Sequence, residues 1–144
     1  MLSRATLSAE HDELLGLGEE LVACIAETVP DHAAVARLRW AMTRKLLAHL
    51  AKEDTLLYPR LKASRDPRAA AMATRFADEM GDLAEKYRAY IADWPAERID
   101  ADWRQFGAET RRILQALRQR IAREETMLYA LLPASPPAVG RGAG

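Results

Sequence analysis

Three scarcities bound what this chain can be. It has one cysteine, no net charge and no long apolar run. A lone Cys24 cannot close an internal disulfide and leaves no CxxC pair for zinc or redox chemistry. Its expected role is that of a small helix-packing residue. Twenty-one basic residues against 21 acidic ones leave no overall field to draw nucleic acid or an anionic membrane. No stretch approaches the roughly 20 apolar residues that span a bilayer, and the N-terminus has no apolar run of signal-peptide type. A cytoplasmic protein without nucleic-acid or membrane partners is expected. Period-two alternation of β-branched residues is absent as well, so no sheet is expected. With only three histidines in the chain, no Ser/His/Asp or Cys/His arrangement stands out, and no glycine-rich phosphate loop follows a strand. An enzyme is not expected.

Helical periodicity is what the chain has in abundance. Apolar residues recur at steps of three and four over four segments, about Ser8–Val29, Asp31–Ala63, Pro67–Trp94 and Asp100–Leu132. Ser8 is a candidate N-cap of the first, and Pro30 ends it. Asp66 caps the third, with Pro67 at its first helical position. Four long amphipathic helices with short connections predict an all-α, antiparallel up-down-up-down four-helix bundle over residues 1–132. The remaining residues 133–144, PASPPAVGRGAG, have little to bury and predict a disordered tail. A bundle of this size can present a helix face to a second copy, with Trp40 or Trp103 as the anchor of a homodimer.

The chain also nearly repeats itself. Lys45–Leu61 reads KLLAHLAKEDTLLYPRL, and Ala116–Leu132 reads ALRQRIAREETMLYALL. Glu53 corresponds to Glu124 and Tyr58 to Tyr129, but His49 corresponds to Arg120. A weaker echo links Glu10-His11-Asp12-Glu13-Leu14 to Glu79-Met80-Gly81-Asp82-Leu83, with histidine again in the first copy alone.

Five polar residues fall on the apolar stripes: His11, His49, Glu53, Arg120 and Glu124. Burying a carboxylate costs several kcal/mol unless it is paired or bound to metal, so these residues need a common explanation. The i, i+4 spacing of His49 and Glu53 puts both on one face, a turn apart. By the repeat, Glu124 should face Glu53 across the bundle axis. Inward-facing carboxylates and imidazoles are how bundle metal sites are built. Elsewhere, His32 reads as a solvated loop residue and Met80 as core. Tyr58 and Tyr129 read as capping one end of the core with wet hydroxyls, either of them able to bond inward instead.

These motifs resemble the hemerythrin-like, or HHE cation-binding, family over about residues 5–133. His11-Asp12-Glu13-Leu14 resembles its first-helix motif. His49-Leu50-Ala51-Lys52-Glu53 with Leu57-Tyr58-Pro59 resembles its HxxxE motif and ending, and Glu124 with Leu128-Tyr129 its fourth-helix acid. The family holds two non-haem irons between histidines and two bridging carboxylates. The resemblance implies His11, His49, Glu53 and Glu124 as metal ligands, with Glu53 and Glu124 bridging. It also aligns two family histidines with Met80 and Arg120. Thioether sulfur is a poor iron ligand, and a guanidinium does not coordinate. Two readings follow. In one, a single non-haem ion, iron or zinc, sits in a His2Glu2 site with Arg120 as a fixed cation in the second position, in a sensing or storage role. O2 or NO would be its partner if the ion is iron. In the other, no metal binds, and a buried Glu–Arg–Glu cluster supports a protein-interaction or regulatory module.

Overall fold

The computed structural model describes residues 2–132, so the expected tail at 133–144 lies outside the described residues. Within them every regular element is helical. Helix α1 (Arg4–Ile25) starts where the Ser3 hydroxyl accepts the Thr6 N–H at 3.2 Å, a turn ahead of the expected Ser8. Helix α2 (His32–Lys52) is capped by Asp31, whose carboxylate accepts the Ala34 N–H. It runs into a π-helical turn, Glu53–Leu57, and then into α3 (Tyr58–Lys62). Asp66 and Pro67 open α4 (Pro67–Met80) as expected. After α5 (Leu83–Asp93) and the short α6 (Ala96–Ala101) comes α7 (Trp103–Arg123). A second π-helical turn, Glu124–Leu128, and a 3-10 turn, Tyr129–Leu131, end the described chain.

The third segment is not one helix. It breaks at Gly81, where a side chain would set its Cβ 2.4 Å from the Ala77 carbonyl oxygen. The break leaves the Met80 carbonyl in the last turn of α4, where backbone acceptors lack partners inside the helix.

Helix α1 packs on α2 and α7, and α5 packs on the same two. The apolar stripes meet inside in two clusters. The larger holds Leu14, Leu21, Leu38, Met42, Leu46, Tyr87, Phe106 and Leu117; the smaller holds Leu7, Leu57, Tyr58, Phe76, Leu128 and Tyr129. Along α1, His11 lies between Leu7 of the smaller cluster and Leu14 of the larger. Along α2, His49 and Glu53 lie between Leu46 and Leu57 in the same way. A polar layer thus separates two apolar ones. Each buried leucine stabilises the fold by about 1.5–3 kcal/mol, which is what holds the polar layer out of water.

His32 is exposed and faces Asp100 at 3.1 Å. Trp103 is half buried, stacked on Phe106 and donating its indole N–H to the Glu27 carbonyl, whereas Trp40 is 67 % exposed. No helix among the described residues is long and apolar enough to cross a membrane.

Phe106 is fully buried against the rings of Tyr90, Trp94 and Trp103. Phe106→Ala should therefore destabilise the protein by about 3–5 kcal/mol, read from the urea midpoint at unchanged slope.

Candidate metal centre

Three helices bring the polar stripe residues to one point. His11 comes from the middle of α1 and His49 from the last turn of α2, while Glu53 and Glu124 open the two π-helical turns. In those turns the Tyr58 N–H bonds back to the Glu53 carbonyl, and the Tyr129 N–H to the Glu124 carbonyl. The extra residue per turn lets each glutamate and the tyrosine five residues on both point inward, a distortion common at functional sites. His11, His49, Glu53 and Glu124 are all buried, and one ligand atom from each lies within 4.8 Å of the others.

The imidazoles are held from behind. His11 Nδ1 lies 2.7 Å from Glu125 Oε2, and His49 Nδ1 lies 2.7 Å from Glu10 Oε1. Ser8 donates to the other Glu125 oxygen, and Lys52 holds the other oxygen of Glu10. A carboxylate accepting from Nδ1–H fixes the tautomer and leaves the Nε2 lone pair facing the centre, the usual setting of a metal-bound histidine. There His49 Nε2 stands 3.2 Å from Glu53 Oε2, and His11 Nε2 stands 3.2 Å from Glu124 Oε1. Distance alone does not make these hydrogen bonds: His49 Nε2 and Glu124 Oε1 are buried with no aligned partner.

Each carboxylate turns its other oxygen to Arg120. The guanidinium donates from Nε to Glu124 Oε2 at 3.0 Å, and from Nη2 to Glu53 Oε1 at 3.0 Å and Asp54 Oδ1 at 2.8 Å. Its Nη1 reaches the Met80 carbonyl, which the helix break freed, at 3.1 Å. Met80 therefore contributes its backbone, and Arg120 sits across the two carboxylates from the histidines. Tyr58 donates to Glu124 Oε2 at 2.7 Å, and Tyr129 donates to Glu53 Oε2, lies with its hydroxyl 3.1 Å from His11 Nε2 and stacks on the His11 ring. Both hydroxyls are buried and face inward, so neither ring is the wet cap that its place on the stripe suggested. The sequence reading missed Glu10, Glu125 and Asp54 because each is a half-exposed acid beside a stripe residue, and such acids are common on solvated faces.

The electrostatics follow from burial. Desolvation pushes the Glu53 carboxyl up, but His49 and Arg120 overcome it and hold it at about 2. Burial, then the charge of Glu53, raises Glu124 above the usual carboxylate range. Burial opposes the charged form of His49, yet the Glu53 and Glu10 carboxylates raise it above its ordinary 6.5. Burial and the neighbouring acids keep Tyr58 and Tyr129 protonated.

Metal-free protein should then have a bounded window of stability. The contribution of Glu53, depressed when folded, is lost as pH falls below its ordinary 4.5 toward about 2. The contribution of His49, raised when folded, is complete below 6.5 and lost as pH climbs through its higher native value. Urea unfolding of chelator-treated protein across pH measures this. Arg120→Met, which strands two buried carboxylates, should cost the metal-free protein about 3–5 kcal/mol. Arg120→Lys should recover only part, because one ammonium cannot span both acids.

The hemerythrin HHE cation-binding domain model matches residues 3–132, nearly all of the described chain. No curated protein and no solved structure matches it. With a buried His/Glu cluster placed between helices of such a bundle, the chain belongs to the hemerythrin HHE cation-binding domain family.

Proposed function

We propose that this protein is a hemerythrin-like bundle, antiparallel up-down-up-down, that binds a single non-haem ion, iron or zinc, in the cytoplasm. His11, His49, Glu53 and Glu124 hold the ion. The observation that carries the reading is the pair of buried, unpartnered atoms, His49 Nε2 and Glu124 Oε1, beside imidazoles whose Nδ1 atoms are already committed to carboxylates. A bare His49 Nε2 turned toward a buried carboxylate oxygen repels it unless a cation or a proton lies between them. The donor set of two nitrogens and two carboxylates suits iron or zinc.

Arg120 limits the site to one ion. Its guanidinium takes the outer oxygen of each glutamate, where a second metal would need them, and supplies a fixed positive charge there. The chain's own residues do the rest: Glu10 and Glu125 aim the imidazoles, Tyr58 and Tyr129 fix the carboxylates, and the two apolar clusters exclude water. Bound there, iron would supply redox chemistry and affinity for O2 or NO, and zinc a charge alone. The role we assign is sensing or storage, not two-iron O2 carriage and not enzymatic turnover. A metal-free protein-interaction or regulatory module is the second reading. It is favoured by the fact that Arg120 already pairs with Glu53, Glu124 and Asp54.

Metal analysis of untagged protein, as purified and after anaerobic Fe(II) or Zn(II) loading, separates the two readings. The first expects one ion per chain, lost in His49→Ala; trace metal in folded protein under every condition establishes the second. Because the ion must displace a proton from a histidine of raised pKa, affinity should rise with pH and calorimetry should show proton release. Met80→His with Arg120→His should raise bound iron toward two ions per chain; unchanged stoichiometry would mean that the helix break at Gly81 has removed the second position itself.

A further inference from the structure

The outer faces of α1 and α7 carry a pattern that the fold does not use. Glycine inside a helix costs about 0.5–1 kcal/mol relative to alanine, and α1 has two. Gly18 packs on α7, where a Cβ would meet Leu114 at 3.7 Å, an ordinary van der Waals contact. Gly16 packs on nothing: it is on the outer side of the helix, and a Cβ there would meet nothing within 4 Å. It is the centre of a heptad-spaced row of small residues, Ala9, Gly16 and Ala23, facing out of the bundle. On α7 the same spacing on the outer face gives Ala108, Gln115 and Ala122.

Charge flanks the two rows with opposite sign. Beside the α1 row stand exposed acids, Asp12 and Glu19 on the side toward α7, and Glu13 and Glu20 on the other. Beside the α7 row stand exposed arginines, Arg111 and Arg118 on the side toward α1, and Arg112 on the other. Among the described residues, Asp12, Glu19, Glu20, Arg111 and Arg118 form no ion pair with one another, whereas Arg112 pairs with Glu109 at 2.8 Å and Glu13 with Lys45 at 3.1 Å. An open groove lined by Ala108, Arg111, Gln115 and Arg118 with Glu19 at its edge runs along this face.

We infer that this face is a self-complementary docking surface whose partner is a second copy of the chain. Within one copy Gly18 is level with Leu114 and Ile25 with Gly107, so α1 and α7 run antiparallel. A two-fold axis parallel to the helices keeps those levels and lays α1 of one copy on α7 of the other, again antiparallel. Gly16 then faces Gln115 of the second copy, with Ala9 near Ala122 and Ala23 near Ala108. In antiparallel helices the matching flanks coincide. Asp12 and Glu19 meet Arg118 and Arg111 across the interface, and Glu20 meets Arg112. The two-fold repeats each pair. Small residues let the backbones approach, and the charges fix register and orientation. This surface uses neither Trp40 nor Trp103, the anchors suggested by aromatic size.

Sedimentation analysis with paired charge reversals tests the interface. Wild-type protein at low salt and high micromolar concentration should have about twice the mass of one chain and dissociate as salt rises. E19R/E20R and R111E/R112E should each weaken self-association by at least about a hundredfold, because like charges then face each other. Mixing those two variants should restore a dimer containing one of each, since every reversed acid then faces a reversed arginine. Gly16→Leu, for which the single chain has room, should keep its helical circular dichroism and lose the dimer. A monomeric wild type, variants that still self-associate, or a mixture that forms no mixed dimer would each overturn the inference.

Discussion

Two carboxylates buried side by side are the constraint around which this bundle is organised. Glu53 and Glu124 are fully buried, and two such charges in an apolar interior repel each other and cost several kcal/mol each without countercharge. Every polar group nearby answers that demand. Arg120 bridges their outer oxygens, His11 and His49 face their inner ones, and Tyr58 and Tyr129 donate to them. The apolar clusters on either side make the demand strict, because they deny these groups water.

The internal repeat then acquires a physical meaning. Both copies begin a π-helical turn at their glutamate and point the tyrosine five residues later back at the opposite copy's acid. Pseudo-symmetry at the backbone is nearly intact, while the cations are asymmetric. The first copy keeps His49, a group able to bind a metal or a proton. The second has Arg120, a charge that is permanent at any pH at which the protein folds. One side of the carboxylate pair is therefore adjustable and the other is set. A fixed guanidinium beside an exchangeable position is compatible with a site that holds one ion, and it makes the metal-free state tolerable as well.

Much of the site was legible because it violates the helical pattern. A histidine or glutamate on an apolar stripe is conspicuous, and the repeat told which residues share a level, so His11, His49, Glu53, Arg120 and Glu124 could be grouped without coordinates. Glu10, Glu125 and Asp54 violate nothing, since they look like ordinary solvated acids until the helices meet. The tyrosines were visible but their direction was not, because a π-helical turn rotates the residues after it by about one extra position. The break at Gly81 was hidden by the apolar periodicity that continues on both sides of it.

The sequence by itself determined that the chain is helical, where the helices capped by Asp31 and Asp66 start, which family it belongs to, and which polar residues lie inside. Those properties depend on local spacing and capping, which a linear pattern records. Only the tertiary structure decided that Arg120 spans both acids, that Met80 contributes a carbonyl and not a side chain, and that His49 Nε2 and Glu124 Oε1 are buried without aligned partners. These are distances between elements far apart in the chain. They are set by how the apolar faces interlock and not by the order of residues along any one of them.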